Sequence, residues 1–425
     1  MKSSIVPAQR SQLRFANRFL DRFARRAVLS KLKNIKQGYL RIIDNGEIFQ
    51  FGKDAVASLK VTITVRNPSF YSYTAFGGSL GSGESYFMGD WNCDNLTNLV
   101  RLLLINREVL DNMDSGMSHI QTPINKFLHW LNRNTQHGSR RNISAHYDIG
   151  NDLFKIMLDT RMMYSSAVYT DDKCSLEHAS FNKLDLICKK LDLNEQDHLL
   201  EIGTGWGGMA IHAAKHYGCQ VTTTTISQQQ YDYAKQRVTE EGLEDKITLL
   251  VKDYRELTGS YDKLVSVEMI EAVGLNNLGT YFEKCASLLK ADGMMCLQGI
   301  TIADQRYEQA KRGVDFIQKY IFPGGSLPSV TAMSHAITKK TDFHIFDLED
   351  IGPHYARTLK DWRERFFQNE KKIRELGYSD TFIRLWEFYL CYCEGGFMER
   401  STSAVHVLLT KPECRRVPLN YQITD

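Results

Sequence analysis

The chain has 425 residues and a formal net charge of +3 at pH 7; 43% of its residues are apolar. That length exceeds the roughly 250–300 residues a single core supports, so two domains are expected, with enough apolar residues to fill both. No apolar run approaches the ~20 residues needed to span a bilayer and no signal peptide opens the chain, so a protein of the cytoplasm or of a membrane surface is expected. Nine scattered cysteines without a C-x-x-C pair read as reduced thiols of a cytoplasmic protein. The close pair Cys391-x-Cys393 would point to different faces of a helix, so no metal site is expected.

In chain order, the first element is basic. Arg10, Arg14, Arg18, Arg22, Arg25, Arg26, Lys31, Lys33, Lys36 and Arg41 stand against Asp21. Leu13, Phe15, Phe19, Leu20, Phe23, Ala27, Leu29 and Leu32 recur among them near helical spacing, as in an interfacial helix facing anionic lipid. The alternative is a helix packed on its own domain with solvated arginines. Nucleic acid is not expected as a partner, because no recognised nucleic-acid module follows. Leu40–Ile43, Ile48–Phe51, Ala57–Val65 and Ala75-Phe76 form short apolar pieces of a small β-rich domain. The run from Gly78 through Gly81 and Gly83 to Tyr86 reads as a flexible turn, followed by Met88-Gly89-Asp90-Trp91 and an apolar helix from Leu96 to Leu104. The expected division is a lipid-associated domain over 1–110, a polar linker over 111–142, a second domain over 143–412 and a tail over 413–425.

The second domain carries the most informative segment. Leu199-Leu200-Glu201-Ile202 is a short strand, Gly203-x-Gly205-x-Gly207-Gly208 a turn, and Met209 to Lys215 the start of a helix. Glycines there permit positive φ and close approach of backbone to a ligand, and the helix start offers unpaired N–H groups. Taken with the Glu201 just before it, the run Gly203-x-Gly205-x-Gly207-Gly208 has the shape of an S-adenosylmethionine loop. Glu201 would accept from the cofactor's ammonium, with Gly203 and Gly205 under its methionine part. An ordinary tight turn is the alternative. Gln220 to Ile226 is a β-branched strand ending where a ribose would lie, with Thr225, Ser227 and Gln230 placed for its hydroxyls and Ile226 expected against the cofactor. Lys246–Val251 is a third strand, after which Asp253-Tyr254-Arg255 suits an adenine. Tyr261–Glu268 and Met294–Thr301 are the fourth and fifth. Strands alternating with helices give an α/β fold with a doubly wound parallel sheet and ligands at its carboxyl edge.

Further motifs are His146-Tyr147-Asp148-Ile149-Gly150, Met163-Tyr164-Ser165-Ser166-Ala167, Met269-Ile270-Glu271-Ala272-Val273-Gly274, Lys319-Tyr320-Ile321-Phe322-Pro323-Gly324-Gly325, and His354-Tyr355-Ala356-Arg357 through Trp362. With the glycine loop, these resemble the cyclopropane-fatty-acyl-phospholipid synthases and the related mycolic acid methyltransferases over nearly all of 141–412, and more loosely in the N-terminal domain. The resemblance implies a seven-stranded Rossmann-like methyltransferase sheet beside a smaller N-terminal α+β domain. It also implies S-adenosylmethionine as cofactor, unsaturated acyl chains of membrane phospholipid as substrate, and a peripheral position on the inner face of the membrane. A homodimer is left open.

In that family the acyl alkene attacks the cofactor's methyl, and a bicarbonate ion takes the proton released. The ion is held by a cysteine, a glutamate, a histidine, a tyrosine and an isoleucine backbone. Carried across the motifs, the glutamate is Glu271, the tyrosine Tyr355 and the isoleucine Ile300, while serine (Ser166) replaces the cysteine and glutamine (Gln298) the histidine. A hydroxyl binds an oxyanion at least as well as a thiol. Glutamine, however, cannot make the charge-assisted bond of a cationic histidine, which is about twice as strong as a neutral one. The expectation is that bicarbonate is weakly held or absent, so that the cation can lose a different proton. Loss from the transferred methyl closes a cyclopropane; loss from a neighbouring chain carbon leaves a methyl-branched unsaturated chain. Tyr164 and Ser165 would touch the cofactor, and His146-Tyr147 would lie beside it unless His146 caps its helix. Tyr320, Phe322, Trp386, Phe388 and Tyr389 either line an acyl channel or pack a core. Read as a strand end, Glu268 points away from Glu271, and only Glu271 enters the site. A non-catalytic lipid-binding protein and a small-molecule methyltransferase are the competing classes.

Overall fold

A computed structural model describes residues 18–53, 59–115 and 150–417. They fall into two compact units. One gathers the described residues up to 115 with 309–323 and 359–401; the other holds 150–308, 324–358 and 402–417.

The first unit opens with α1 (Arg18–Leu32), which buries Ala24, Val28 and Leu32, one residue per turn of a single face. Arg25 is not a free solvated cation, since it pairs with Asp44 (2.7 Å) and Glu47 (2.6 Å) and lies over the Phe49 ring. The helix therefore packs on its own unit, while Leu20 (43%) and Phe23 (53%) remain exposed on it. Arg10, Leu13, Arg14 and Phe15 lie outside the described residues, as do His146 and Tyr147. Strands β1 (Tyr39–Asp44), β2 (Glu47–Gly52), β3 (Lys60–Val65) and β4 (Trp91–Cys93) form a sheet in the order β2-β1-β3-β4. Asn45 and Gly46, both at positive φ, make the two-residue β1–β2 turn.

The stretch read as a flexible glycine turn is instead helical: α2 spans Ser69–Phe87 with a kink at Gly78 (φ 58°, ψ −142°). Its glycines answer crowding. A Cβ on Gly81 would stand 2.1 Å from the Tyr73 carbonyl oxygen, and one on Gly83 2.8 Å from both Phe316 and Phe388. A helix from Leu96 to Ile105 follows, as expected, capped by the Asn95 side chain. The candidate channel aromatics pack on one another within this unit. Phe316 meets Phe388 at 4.6 Å between ring centroids, Trp386 meets Tyr389 at 5.1 Å, and the Tyr320 hydroxyl donates to Glu84.

The second unit is built on a seven-stranded sheet in the order β10-β11-β9-β8-β5-β6-β7. The strands are β5 (His198–Ile202), β6 (Gln220–Thr225), β7 (Ile247–Val251), β8 (Tyr261–Val267), β9 (Leu289–Ile302), β10 (His344–Asp350) and β11 (Thr402–Thr410). The first five follow the apolar runs read from the sequence and pair in parallel, while β11 runs antiparallel between β9 and β10. Leu199, Leu200, Leu264, Val265 and Leu297 are buried because helices cover both faces of such a sheet. Chain order reverses direction at β5, with β6 on one side and β8 on the other. A crevice at the carboxyl ends of these strands is the usual ligand position in open α/β sheets.

Candidate active site

At the end of β5 the chain turns so that the N–H groups of Gly203 (3.1 Å) and Thr204 (3.0 Å) both donate to the Thr224 carbonyl on β6. Gly207 N–H closes the turn on Thr204 before a helix over Gly208–Tyr217 begins. Gly203 (φ 105°) and Gly205 (φ 52°) need the freedom of glycine. Nothing lies within 4 Å of a Cβ built on Gly205, so the turn leaves open space there. Gly208 has another role: its Cβ would stand 2.5 Å from Met163 Sδ and 2.7 Å from the Arg161 carbonyl oxygen.

Glu201 is 2% exposed. Its Oε2 accepts from Thr223 Oγ1 (2.6 Å), which in turn accepts from Thr204 Oγ1 (2.7 Å). Burial pushes its pKa up to about 8, against the pull of Lys183. An arriving ammonium would favour the ionised form, so this acid suits the cation of an amino-acid-like ligand. Thr225 Oγ1 donates to Gln230 Oε1 (2.8 Å), Ser227 caps the helix over Gln228–Glu240, and Ile226 is half-buried beyond the strand end. The acid after β7 is already engaged, since both oxygens of Asp253 accept from Arg255 (2.8 and 2.6 Å). Tyr254 stands edge-on to Tyr281, with ring centroids 5.5 Å apart. Tyr164 packs on Phe154, which packs on Trp206 of the glycine turn.

The second cluster forms where β8 ends. Glu268 does not point away from the site, correcting the sequence reading. It has left-handed backbone, φ 50°, so the alternation of β8 stops at Val267. Its Oε1 accepts from Ser166 N–H (2.8 Å) and Gln298 Nε2 (2.8 Å), and its Oε2 from Tyr355 Oη (2.6 Å). A short 3₁₀ turn over Ile270–Ala272 then brings Glu271 round, where its Oε1 accepts Ile300 N–H at 2.5 Å. Glu271 Oε2 is out of solvent contact and has no hydrogen-bond partner among the described residues. Burial, reinforced by the negative Glu268 nearby, pushes Glu271 up to about 8; burial also raises Glu268.

Two more side chains complete the cluster without having been singled out in the sequence. Lys183, fully buried, donates to Ser165 Oγ (2.9 Å). Burial draws it down to about 8 against the attraction of Glu268, Asp159 and Glu201. His406, paired with Gln298 across β11 and β9, donates from Nε2 to Gln298 Oε1 (2.9 Å), and burial keeps it neutral. A single polar residue inside the apolar run of β11 was the available signal.

The fit of the implied cofactors differs. An open glycine turn beside a buried acid fits S-adenosylmethionine, which Glu201, Gly203 and Gly205 would hold. Bicarbonate does not fit: Ile300 N–H, Tyr355 Oη and one Gln298 N–H end on glutamates, the other Gln298 N–H ends on the Ser166 carbonyl, and Ser166 Oγ donates to the Ala167 carbonyl. An anion there would meet carboxylates.

Residues 134–407 match the family model described as mycolic acid cyclopropane synthetase. Tuberculostearic acid methyltransferase UfaA1 of Mycobacterium tuberculosis is 38% identical over 75% of this chain and 76% of its own length. Cyclopropane-fatty-acyl-phospholipid synthase of Escherichia coli is 36% identical over 83% of this chain and 89% of its own length. Among solved structures, mycolic acid cyclopropane synthase CmaA1 in complex with SAH and CTAB superposes with a TM-score of 0.60 at 28% identity, covering 64% of this chain and 98% of that one. The chain belongs to the mycolic acid cyclopropane synthetase family of S-adenosylmethionine-dependent methyltransferases.

Proposed function

We propose that this protein adds a one-carbon unit to the cis double bond of an unsaturated acyl chain in a phospholipid, with Glu271 as proton acceptor. The observation that carries this reading is the partnerless, solvent-excluded Oε2 of Glu271, whose other oxygen is pinned by Ile300 N–H. When bound, S-adenosylmethionine supplies a methyl group activated by a positive sulfur. An alkene needs no nucleophile from the protein. It needs alignment, exclusion of water, a negative field for the cation formed on the chain, and a base. Glu268 and Glu271 supply the field. Glu271 takes the proton on Oε2, and the electron pair of the broken C–H bond makes the last carbon–carbon bond, so the positive charge leaves as that proton. A base with a pKa raised to about 8 is matched to work near neutral to mildly alkaline pH.

If the proton comes from the transferred carbon, the product is a cyclopropane fatty acid. A second reading, a methyl-branched unsaturated chain, is supported by the neutral, already bonded Gln298 and by likeness to a tuberculostearic acid methyltransferase. Methyl-deuterated cofactor separates them: a product keeping every label excludes ring closure, and one that has lost a single label excludes simple branching. Calorimetry with S-adenosylmethionine tests the competing lipid-binding class, which predicts no heat. We also propose that the enzyme meets its substrate on the cytoplasmic membrane face through the basic N-terminal segment, where Leu20 and Phe23 are exposed. No helix among the described residues is long and apolar enough to cross a membrane.

A further inference from the structure

Three donors from three separate elements converge on the Glu268 carboxylate: the Ser166 backbone N–H, the Gln298 amide from β9, and the Tyr355 hydroxyl from the helix over Gly352–Gln368. The donors are themselves held. Gln298 Oε1 accepts from His406, its second N–H goes to the Ser166 carbonyl (3.2 Å), and the Thr358 hydroxyl accepts the Ala167 N–H (3.1 Å). The Glu268 backbone N–H donates to the Gln298 carbonyl at 2.7 Å, fixing the main chain as well. Glu268 also bears a left-handed backbone, which strains a residue with a Cβ and costs glycine nothing. A non-glycine residue kept in that conformation, desolvated, and placed beside a second carboxylate marks a site where function overrides local preference.

We propose that Glu268 is a tethered anion that fills the cage formed by Ser166, Gln298 and Tyr355, so that this enzyme binds no exchangeable anion such as bicarbonate there. This deepens the function proposed above and rests on it. The fixed carboxylate orients Tyr355 and Gln298 and places an acidic group beside Glu271 without an exchangeable ion. Glu268 is in this sense a positioning residue, and Glu271 the base.

The test uses the full-length protein carrying S-adenosylhomocysteine, titrated with ¹³C-labelled bicarbonate and followed by NMR line width. Wild type and Glu268→Gln, whose cages stay filled, are expected to show no saturable broadening. Glu268→Gly empties the cage at a position whose φ suits glycine, and it should bind bicarbonate in the millimolar range with unchanged affinity for S-adenosylhomocysteine. Saturable binding to the wild type overturns the proposal, as does absence of binding to a Glu268→Gly protein that still melts cooperatively. A second readout is turnover on phospholipid in carbonate-free buffer. Wild-type rate should not respond to added bicarbonate, whereas Glu268→Gly should lose at least tenfold and recover with bicarbonate; a wild type that needs bicarbonate refutes the tethered anion. Lack of any lipid product in all variants would count against the proposed function, leaving the cage to be judged by the binding arm.

Discussion

Replacing Glu271 by glutamine removes the proton acceptor, yet it should make the folded protein more stable at alkaline pH. Glutamine keeps a carbonyl to accept the Ile300 N–H, so the geometry around β9 is retained. In the wild type the folded-state pKa rises from the ordinary 4.5 to about 8, through burial and through Glu268. Between these values the folded protein holds a proton that the unfolded chain has already released. Stability is therefore lost as pH rises across that window and levels off above it. At 1.36 kcal/mol per pH unit, the loss amounts to roughly 2–5 kcal/mol after allowing for the partial solvent exposure of the residue. For a unit of this size each kcal/mol moves the melting temperature by roughly 2–4 °C. Thermal unfolding of both proteins from pH 5 to 9 should give coincident curves at the acid end and a widening advantage for Glu271→Gln up to about pH 8. Curves that stay parallel across the range would refute the picture of a desolvated, partnerless carboxylate.

Other substitutions separate packing from ligand binding. Gly205→Ala places its Cβ in open space, so it should cost about 1 kcal/mol of stability from positive φ alone and weaken S-adenosylhomocysteine at least tenfold by calorimetry; unchanged affinity would place the cofactor elsewhere. Gly208→Ala meets Met163 and the Arg161 carbonyl and should lower stability by about 1–3 kcal/mol in denaturant melts. Lys183→Met removes a charge that pulls the pKa of Glu201 and Glu268 down, so ligand affinity should fall at pH 7 and recover at higher pH; an unshifted pH profile would exclude that coupling.

Local patterns were legible wherever neighbours in sequence decide the outcome. The run Leu199–Ile202, the glycines behind it and the threonines of β6 name strand, turn and strand by themselves, because apolar periodicity and positive φ are properties of short windows. Composition misled at α2, where glycine and serine suggested flexibility. The actual reason for those glycines lies in the Phe316 and Phe388 rings, more than 200 positions later in sequence. Alternation misled at Glu268, since a single left-handed residue ends the strand rule and turns both acids into one site. Lys183 and His406 join that site only through the tertiary fold, His406 from 108 residues beyond Gln298, and no local pattern reports such distances.

Glu271 is proposed as the base in one-carbon transfer to an acyl double bond. The most direct measurement is the fatty-acid methyl ester profile of a heterologous bacterium expressing this chain or its Glu271→Gln variant at equal level. Monounsaturated chains should gain the mass of one CH₂ group with the wild type, and the variant should form at least a hundredfold less of this product. A gain of equal size with both proteins would show that the proton leaves by another route, and no gain with either would contradict the proposed reaction.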